Sequence, residues 1–241
     1  MATLLNGDCL QVLPTLPDNS VDMVFLDLPY GQTKAKWDTK IDLEQLWIQL
    51  KRVAKDDRTP FFFTTTTRFG YELIKSNEKW FRWDLVWTKN IAVGFLNAYK
   101  QPMRKHEMIY CFAKRAPRYY VKEHHKDKVV KWCVRNKADA CGELYGFDAK
   151  NKTEHVVHSN RLPTSILDFT LDTRTGHRTA KPVALMEYLL KYWSKEGDTI
   201  LDPTAGSGSM GIACKHMNRH FIGIEFDEGI FQLMEKRIEE E

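Results

Sequence analysis

Between residues 199 and 225 the chain reads TILDPTAGSGSMGIACKHMNRHFIGIE, and no other stretch restricts its fold as much. A short apolar run, Thr199 to Leu201, leads through Asp202-Pro203 into a loop where Gly206, Gly208 and Gly211 form G-x-G-x-x-G. The spacing predicts a helix over residues 208–216 and a second strand over residues 221–225 that ends on Glu225, 19 residues after Gly206. Glycines permit the tight turn, and the N–H groups at a helix start can face an anionic ligand. An acid about 20 residues further on suits a ribose diol. No Gly-Lys-Ser/Thr follows, so the loop is not a phosphate-binding P-loop. A nicotinamide dinucleotide is disfavoured because only 30 residues follow Gly211, too few for the rest of that fold. Asp202 also sets a carboxylate beside the crevice, which suits a ligand with a positive centre better than a pyrophosphate.

The rest of the chain alternates in the same way. Asp42 to Ala54 has apolar residues at helical spacing (Leu43, Leu46, Trp47, Leu50, Val53), and Pro182 to Trp193 reads as a helix with proline at its start. The stretches beginning at Val21, Phe61 to Thr64, Trp83 to Trp87 and Met108 to Phe112 read as strands. Strands alternating with helices predict an α/β fold, doubly wound around a mostly parallel sheet. At 241 residues the chain is one large domain, or one domain with an insertion. Residues 114–165 are charged and weakly periodic, and are read as that insertion. The bipartite remainder is 1–113 with 166–241.

Charge is distributed unevenly. Residues 100–182 hold 18 Lys/Arg against 9 Asp/Glu, a net of +9, whereas the remainder carries a net of −5. A basic middle on an acidic scaffold points to a polyanion partner, although a solvated lysine-rich insertion gives the same count. No apolar run approaches the ~18 residues of a membrane span. The N-terminus shows no secretory signal, so the expected compartment is the cytoplasm. Five scattered cysteines fit reduced thiols better than a disulfide framework. Cys133, Cys141 and the nearby histidines match no zinc-ligand spacing, and no metal is expected.

In an open α/β sheet, ligands sit at the carboxyl ends of strands where strand order reverses. The run VDMVFL stops on Asp27-Leu28-Pro29-Tyr30, and the other run stops on Asp202. If the two strands are neighbours at the reversal, Asp27 faces the reactive end of whatever the glycine loop holds. A carboxylate, a backbone carbonyl fixed by a proline turn and an aromatic ring suit transfer to an amine conjugated with a flat base. The two acceptors take the amine hydrogens, and the ring stacks on the base. Such an amine inside a duplex is reached by flipping the base out. Taken singly, Asp27 to Tyr30 reads as a turn, Asp8 as a helix cap and His177 as a surface histidine. Lys34, Lys36 and Trp37 read equally as a solvated loop or a DNA-contacting flap.

Four separated motifs, in order, resemble the β-class DNA amino-methyltransferases, which carry D-P-P-Y near the N-terminus and a glycine loop near the C-terminus. Asn6-Gly7-Asp8-Cys9-Leu10 with LPDNSVDMVFLDLPYG is similar to their opening. Gly94 to Ala98 and Lys105-His106-Glu107 resemble their middle. His177 to Pro182 is similar to their H-x-T-x-K-P segment, and LDPTAGSGS to their cofactor loop. The resemblance implies a seven-stranded, circularly permuted methyltransferase sheet and S-adenosyl-L-methionine as cofactor. It implies Asp27, Leu28, Pro29 and Tyr30 as the catalytic segment. Cofactor contacts are implied for Asp8 and Cys9, Thr179 and Lys181, the loop residues Asp202, Pro203, Gly206, Ser207 and Gly208, and Glu225. The basic insertion falls where the family has its target-recognition region, so Lys128 and Lys131 join Lys34, Lys36 and Trp37 as expected contacts to double-stranded DNA. The family usually has proline where this chain has Leu28, but leucine keeps the backbone carbonyl. Aspartate at the first motif position is commoner in adenine-N6 enzymes and serine in cytosine-N4 enzymes. The expected reaction is therefore methylation of adenine N6, with cytosine N4 or a catalytically silent nucleic-acid-binding paralogue as alternatives. A cognate restriction endonuclease is a candidate partner, and the chain is expected to be a monomer or homodimer.

Overall fold

Residues 1–31, 39–125, 162–171 and 180–241 are described by a computed structural model. In chain order they form β1 (Ala2–Asn6), α1 (Cys9–Val12), β2 (Met23–Leu26), α2 (Leu43–Val53), β3 (Phe61–Thr65), α3 (Thr67–Ser76), β4 (Phe81–Val93) and β5 (Arg104–Phe112). There follow α4 (Val121–His124), β6 (Ile166–Asp168), α5 (Val183–Trp193), β7 (Thr199–Asp202), α6 (Ser209–His216), β8 (His220–Glu225) and α7 (Glu228–Glu240). Two compact units result: Met1–Tyr119 with Ser165–Glu241, which carries the sheet, and Tyr120–Thr164, of which residues 120–125 and 162–164 are described.

The strand order is β1-β8-β7-β2-β3-β5-β4-β6. All pairings are parallel except those of β5, which runs antiparallel to both β3 and β4. From β7 the chain moves one way to β8, and from β2 it moves the other way to β3. The reversal therefore lies between β7 and β2, which pair directly with Val24 opposite Leu201. The N-terminal strand β1 pairs outside β8, so the sheet joins elements from opposite ends of the sequence, as a circular permutation requires.

Both faces of the sheet are covered, and β3 records this in its side-chain alternation. Phe61 and Phe63 pack against Trp47 of α2, with ring centroids 5.8 and 5.3 Å away. Phe62, between them, packs at 5.1 Å against Trp193 of α5 on the other face. Strands covered on both sides become continuous apolar runs, which is why FFF and VFL carry no polar alternation. Helix α2 forms where its spacing predicts. Asp42 caps it by accepting from Glu44 N (2.9 Å) and Gln45 N (3.2 Å), and Leu46, Leu50 and Val53 are fully buried. Thr66 and Asp227 cap α3 and α7 in the same manner.

The doubly wound, mostly parallel sheet is as expected, but among the described residues it has eight strands rather than seven. The additional one is the three-residue edge strand β6, which pairs with β4 through Val86↔Ile166 to Thr88↔Asp168. Strand β4 runs well past Trp87 to Val93, and β5 begins at Arg104, because the two form a long hairpin. Its outer half is too exposed to show a hydrophobic pattern.

Trp47 joins α2 to Phe61, Phe63 and Phe112 and donates its indole N–H to Ser76 Oγ at 2.9 Å. Trp47→Ala should cost about 3–5 kcal/mol of folding stability, read as a lowered urea midpoint with an unchanged slope.

Candidate active site

The β2–β7 pairing puts the loops after both strands side by side. Asp27 N–H donates to Thr204 Oγ1 at 3.2 Å, tying the segment after β2 to the glycine loop after β7. Asp27 is the centre of the polar contacts here. Its Oδ1 accepts the Tyr30 hydroxyl at 3.0 Å and the Thr64 hydroxyl at the end of β3. Its Oδ2 accepts the Lys181 ammonium. Lys181 also lies 3.7 Å from Glu107 Oε2 on β5, and the other oxygen of Glu107 is paired with Lys89 on β4. Burial works against the Lys181 ammonium, but the carboxylates of Asp27 and Glu107 outweigh it and raise its pKa above the ordinary lysine value. Burial, with the Asp27 charge added, pushes the Tyr30 phenol well above its usual range, so the hydroxyl remains a donor.

In the glycine loop, Gly206 and Gly208 have φ of +52° and +81°, in the left-handed region. At Gly208 there is a second constraint, because a Cβ there would lie 2.8 Å from Met234 of α7. Glu225 braces the loop: Oε2 accepts Gly206 N–H at 2.8 Å and Oε1 accepts Asp227 N–H at 2.9 Å. Asp202 is 3% exposed and accepts Thr204 N–H at 3.1 Å. Burial pushes its carboxyl well above the usual carboxylate range, and the neighbouring charges of Asp27 and Glu225 add to that. A positive ligand centre would relieve this cost, so the loop suits a cation better than a phosphate.

Asp8 caps α1 by accepting Leu10 N–H at 2.8 Å, and its loop is joined to Glu225 by Gly7 N–H donating to Glu225 O at 2.9 Å. Cys9 is buried in the core, and burial followed by the Asp8 charge raises its thiol to about 11, which leaves its backbone for any ligand contact. Pro203 and Ser207 are buried in the loop itself. The Leu28 side chain is 3% exposed and belongs to the core, which leaves only its backbone for the expected contact. Tyr30 rests on Phe69 at 5.3 Å and borders an open cleft of about 600 Å³, lined further by Arg68, Glu72, Asn97 and Gln101. Thr179, Lys34, Lys36, Trp37, Lys128 and Lys131 lie outside the described residues.

Three neighbours of Asp27 had not been singled out as site residues. Thr64 closes an apolar run and could have been suspected from that position. Thr204 and Glu107 stand in motifs the sequence shows, but only strand pairing brings them to the Asp27 site, since the sequence separates them from Asp27 by 177 and 80 positions.

An open sheet with a left-handed glycine loop and paired acids at its reversal defines a cofactor-dependent α/β transferase. A DNA methylase family model, covering N6 and N4 enzymes, matches residues 21–236, and the chain belongs to that family. It is 25% identical to the Type II methyltransferase M.HinfI of Haemophilus influenzae, over 99% of this chain and 68% of that one. It is 26% identical to the Type II methyltransferase M2.DpnII of Streptococcus pneumoniae, over 99% and 90%. Among solved structures, the M1.HpyAVI–SAM complex aligns with a TM-score of 0.60 at 20% identity, over 98% of each chain. The cytosine-N4-specific PvuII DNA methyltransferase aligns at 0.65 and 13%, over 99% of this chain and 90% of that one. At those identities the alignments show the shared fold.

Because Leu28 is core, Leu28→Pro should lower stability by roughly 1–3 kcal/mol through lost packing. Chemical denaturation of the folded variant checks this, and an unchanged midpoint would mean that the side chain contributes nothing.

Proposed function

We propose that the chain is a site-specific DNA methyltransferase acting on the exocyclic N6 amine of adenine in double-stranded DNA, with the target base flipped out of the helix. The observation that carries this reading is the bond between Asp27 N–H and Thr204 Oγ1. It keeps a carboxylate next to the glycine loop and one turn from an aromatic ring at the edge of an open cleft. S-adenosyl-L-methionine, held by the glycine loop and Glu225, would supply the methyl group to the amine nitrogen and leave as a neutral thioether, with the amine proton passing to solvent. Asp27 orients the amine by accepting one of its hydrogens, and the Leu28 carbonyl accepts the other. Tyr30 offers a stacking face, and the cleft beside it receives the base. Glu225 fits the ribose hydroxyls, the Asp8 loop fits the adenine, and the Thr179–Lys181 segment fits the amino-acid end.

Residues 114–165, as a target-recognition region, would grip phosphates with Lys128 and Lys131, and residues 34–37 would approach the DNA at the mouth of the site. The Type II relatives favour a restriction–modification setting with a cognate endonuclease. Cytosine N4 is the second reading, supported by the fold shared with the PvuII enzyme.

Asp27→Ala should abolish methyl transfer while cofactor affinity remains near the parent value. Nucleoside analysis of DNA from cells expressing the parent should show N6-methyladenine. N4-methylcytosine would support the second reading, and an unmodified genome the silent paralogue.

Glu225→Ala removes the acceptor for both ribose hydroxyls and also a brace on the loop. Hydrogen bonds to a charged group are worth ~1.5–3 kcal/mol, so calorimetry should show roughly 10- to 100-fold weaker cofactor binding.

A further inference from the structure

An ionised carboxylate offers about four lone-pair sites, two on each oxygen. Among the described residues three are taken on Asp27: Tyr30 and Thr64 occupy Oδ1, and Lys181 occupies one site on Oδ2. If Asp27 receives the target amine, as proposed above, only the second site on Oδ2 is left for it, directly beside the Lys181 ammonium. That cation creates a conflict. Positive charge develops on the amine nitrogen during transfer, and an ammonium devoted to Asp27 would oppose it and compete for the same oxygen.

The structure holds a group that answers this conflict. Glu107 reaches in from β5 with a buried Oε2 that accepts no hydrogen bond among the described residues and lies 3.7 Å from Lys181 Nζ. Its Oε1 is anchored by Lys89, whose ammonium also sits 4.9 Å over the Trp87 ring. The side chains of Lys181, Glu107 and Lys89 are 11%, 16% and 10% exposed, so solvent screens them little. The chain Asp27–Lys181–Glu107–Lys89 alternates in sign and crosses the sheet from the end of β2 to β4.

We propose that Glu107 is a positioning residue for methyl transfer: by sharing the Lys181 ammonium with Asp27, it keeps one lone pair of Asp27 Oδ2 open to the target amine and offsets the positive charge beside it. Glu107 touches neither the base nor the donor. It acts through Lys181, whose three N–H groups can serve Asp27 and Glu107 together and leave one over. Lys89 holds Glu107 in place from the far side.

The test uses the full chain with Glu107→Gln, which keeps shape and removes charge, and Glu107→Asp, which keeps charge on a shorter arm. Single-turnover methylation of a duplex with its target site is measured alongside cofactor affinity by calorimetry. Fluorescence of 2-aminopurine at the target position, which reports base flipping, and the melting temperature complete the set. Glu107→Gln should slow the single-turnover rate by roughly 10- to 100-fold, the range for an interaction with a charged group. Cofactor affinity, the fluorescence change and melting temperature should stay near the parent values, and Glu107→Asp should recover part of the rate. A parent-like rate in Glu107→Gln would overturn the proposal. So would a rate loss accompanied by an equal loss of cofactor affinity, of base flipping or of thermal stability, or one that Glu107→Asp does not relieve. Full activity in Asp27→Ala would instead overturn the underlying assignment of Asp27, so the two failures are distinguishable.

Discussion

The parallel pairing of β2 with β7 is the constraint on which the rest of this protein depends. The two strands lie about 175 positions apart in sequence, yet Met23 sits opposite Ile200 and Val24 opposite Leu201. A shift of one residue in that register would turn the side chains of one strand to the opposite face of the sheet and separate Asp27 from Thr204. The neighbouring strand β3, which pairs with β2, is packed by rings on both faces, with Trp47 on one side and Trp193 on the other.

The buried charges around that carboxylate are not there for stability. Ion pairs removed from water recover little net free energy over apolar residues of similar volume. A row of four such groups is better understood as a way of fixing one acid in one orientation. The Asp27 carboxylate is surrounded by donors from three separate segments, Tyr30 three residues on, Thr64 on β3 and Lys181 before α5, while its own N–H donates to Thr204 in the glycine loop. Replacing any one donor leaves the others to hold the group, but changes which lone pair remains available.

The glycine loop shows a similar economy. Glu225 bonds Gly206 and Asp227 through one oxygen each, so it shapes the loop while keeping further lone pairs for a ligand. Asp202, by contrast, is buried enough that its charge is costly in the absence of a cation. In the proposed reading, Glu225 would serve the ribose hydroxyls and Asp202 the positive end of the cofactor.

Much of this was legible in the linear sequence. The apolar runs, the capped helix after Asp42, the glycines and the two strand-terminal aspartates define the α/β class, because periodicity and turn chemistry are local properties. The motifs that place the chain among the DNA amino-methyltransferases are also short and contiguous. Strand β1 was not legible, because an edge strand with one neighbour is half exposed and carries no clear pattern. Nor was β6, whose three residues form a strand only because β4 offers them an edge. The role of Leu28 was only half visible: sequence identifies the backbone carbonyl, but burial of the side chain depends on what packs around it. Lys181 was read as a cofactor residue, and only the fold brought its ammonium to Asp27, 154 positions away, and close to Glu107. The sequence by itself determined which residue types stand at the ends of which strands. The tertiary structure decided which of them meet, because the distances between buried charges are set by strand order and register, and these depend on contacts that no local pattern encodes.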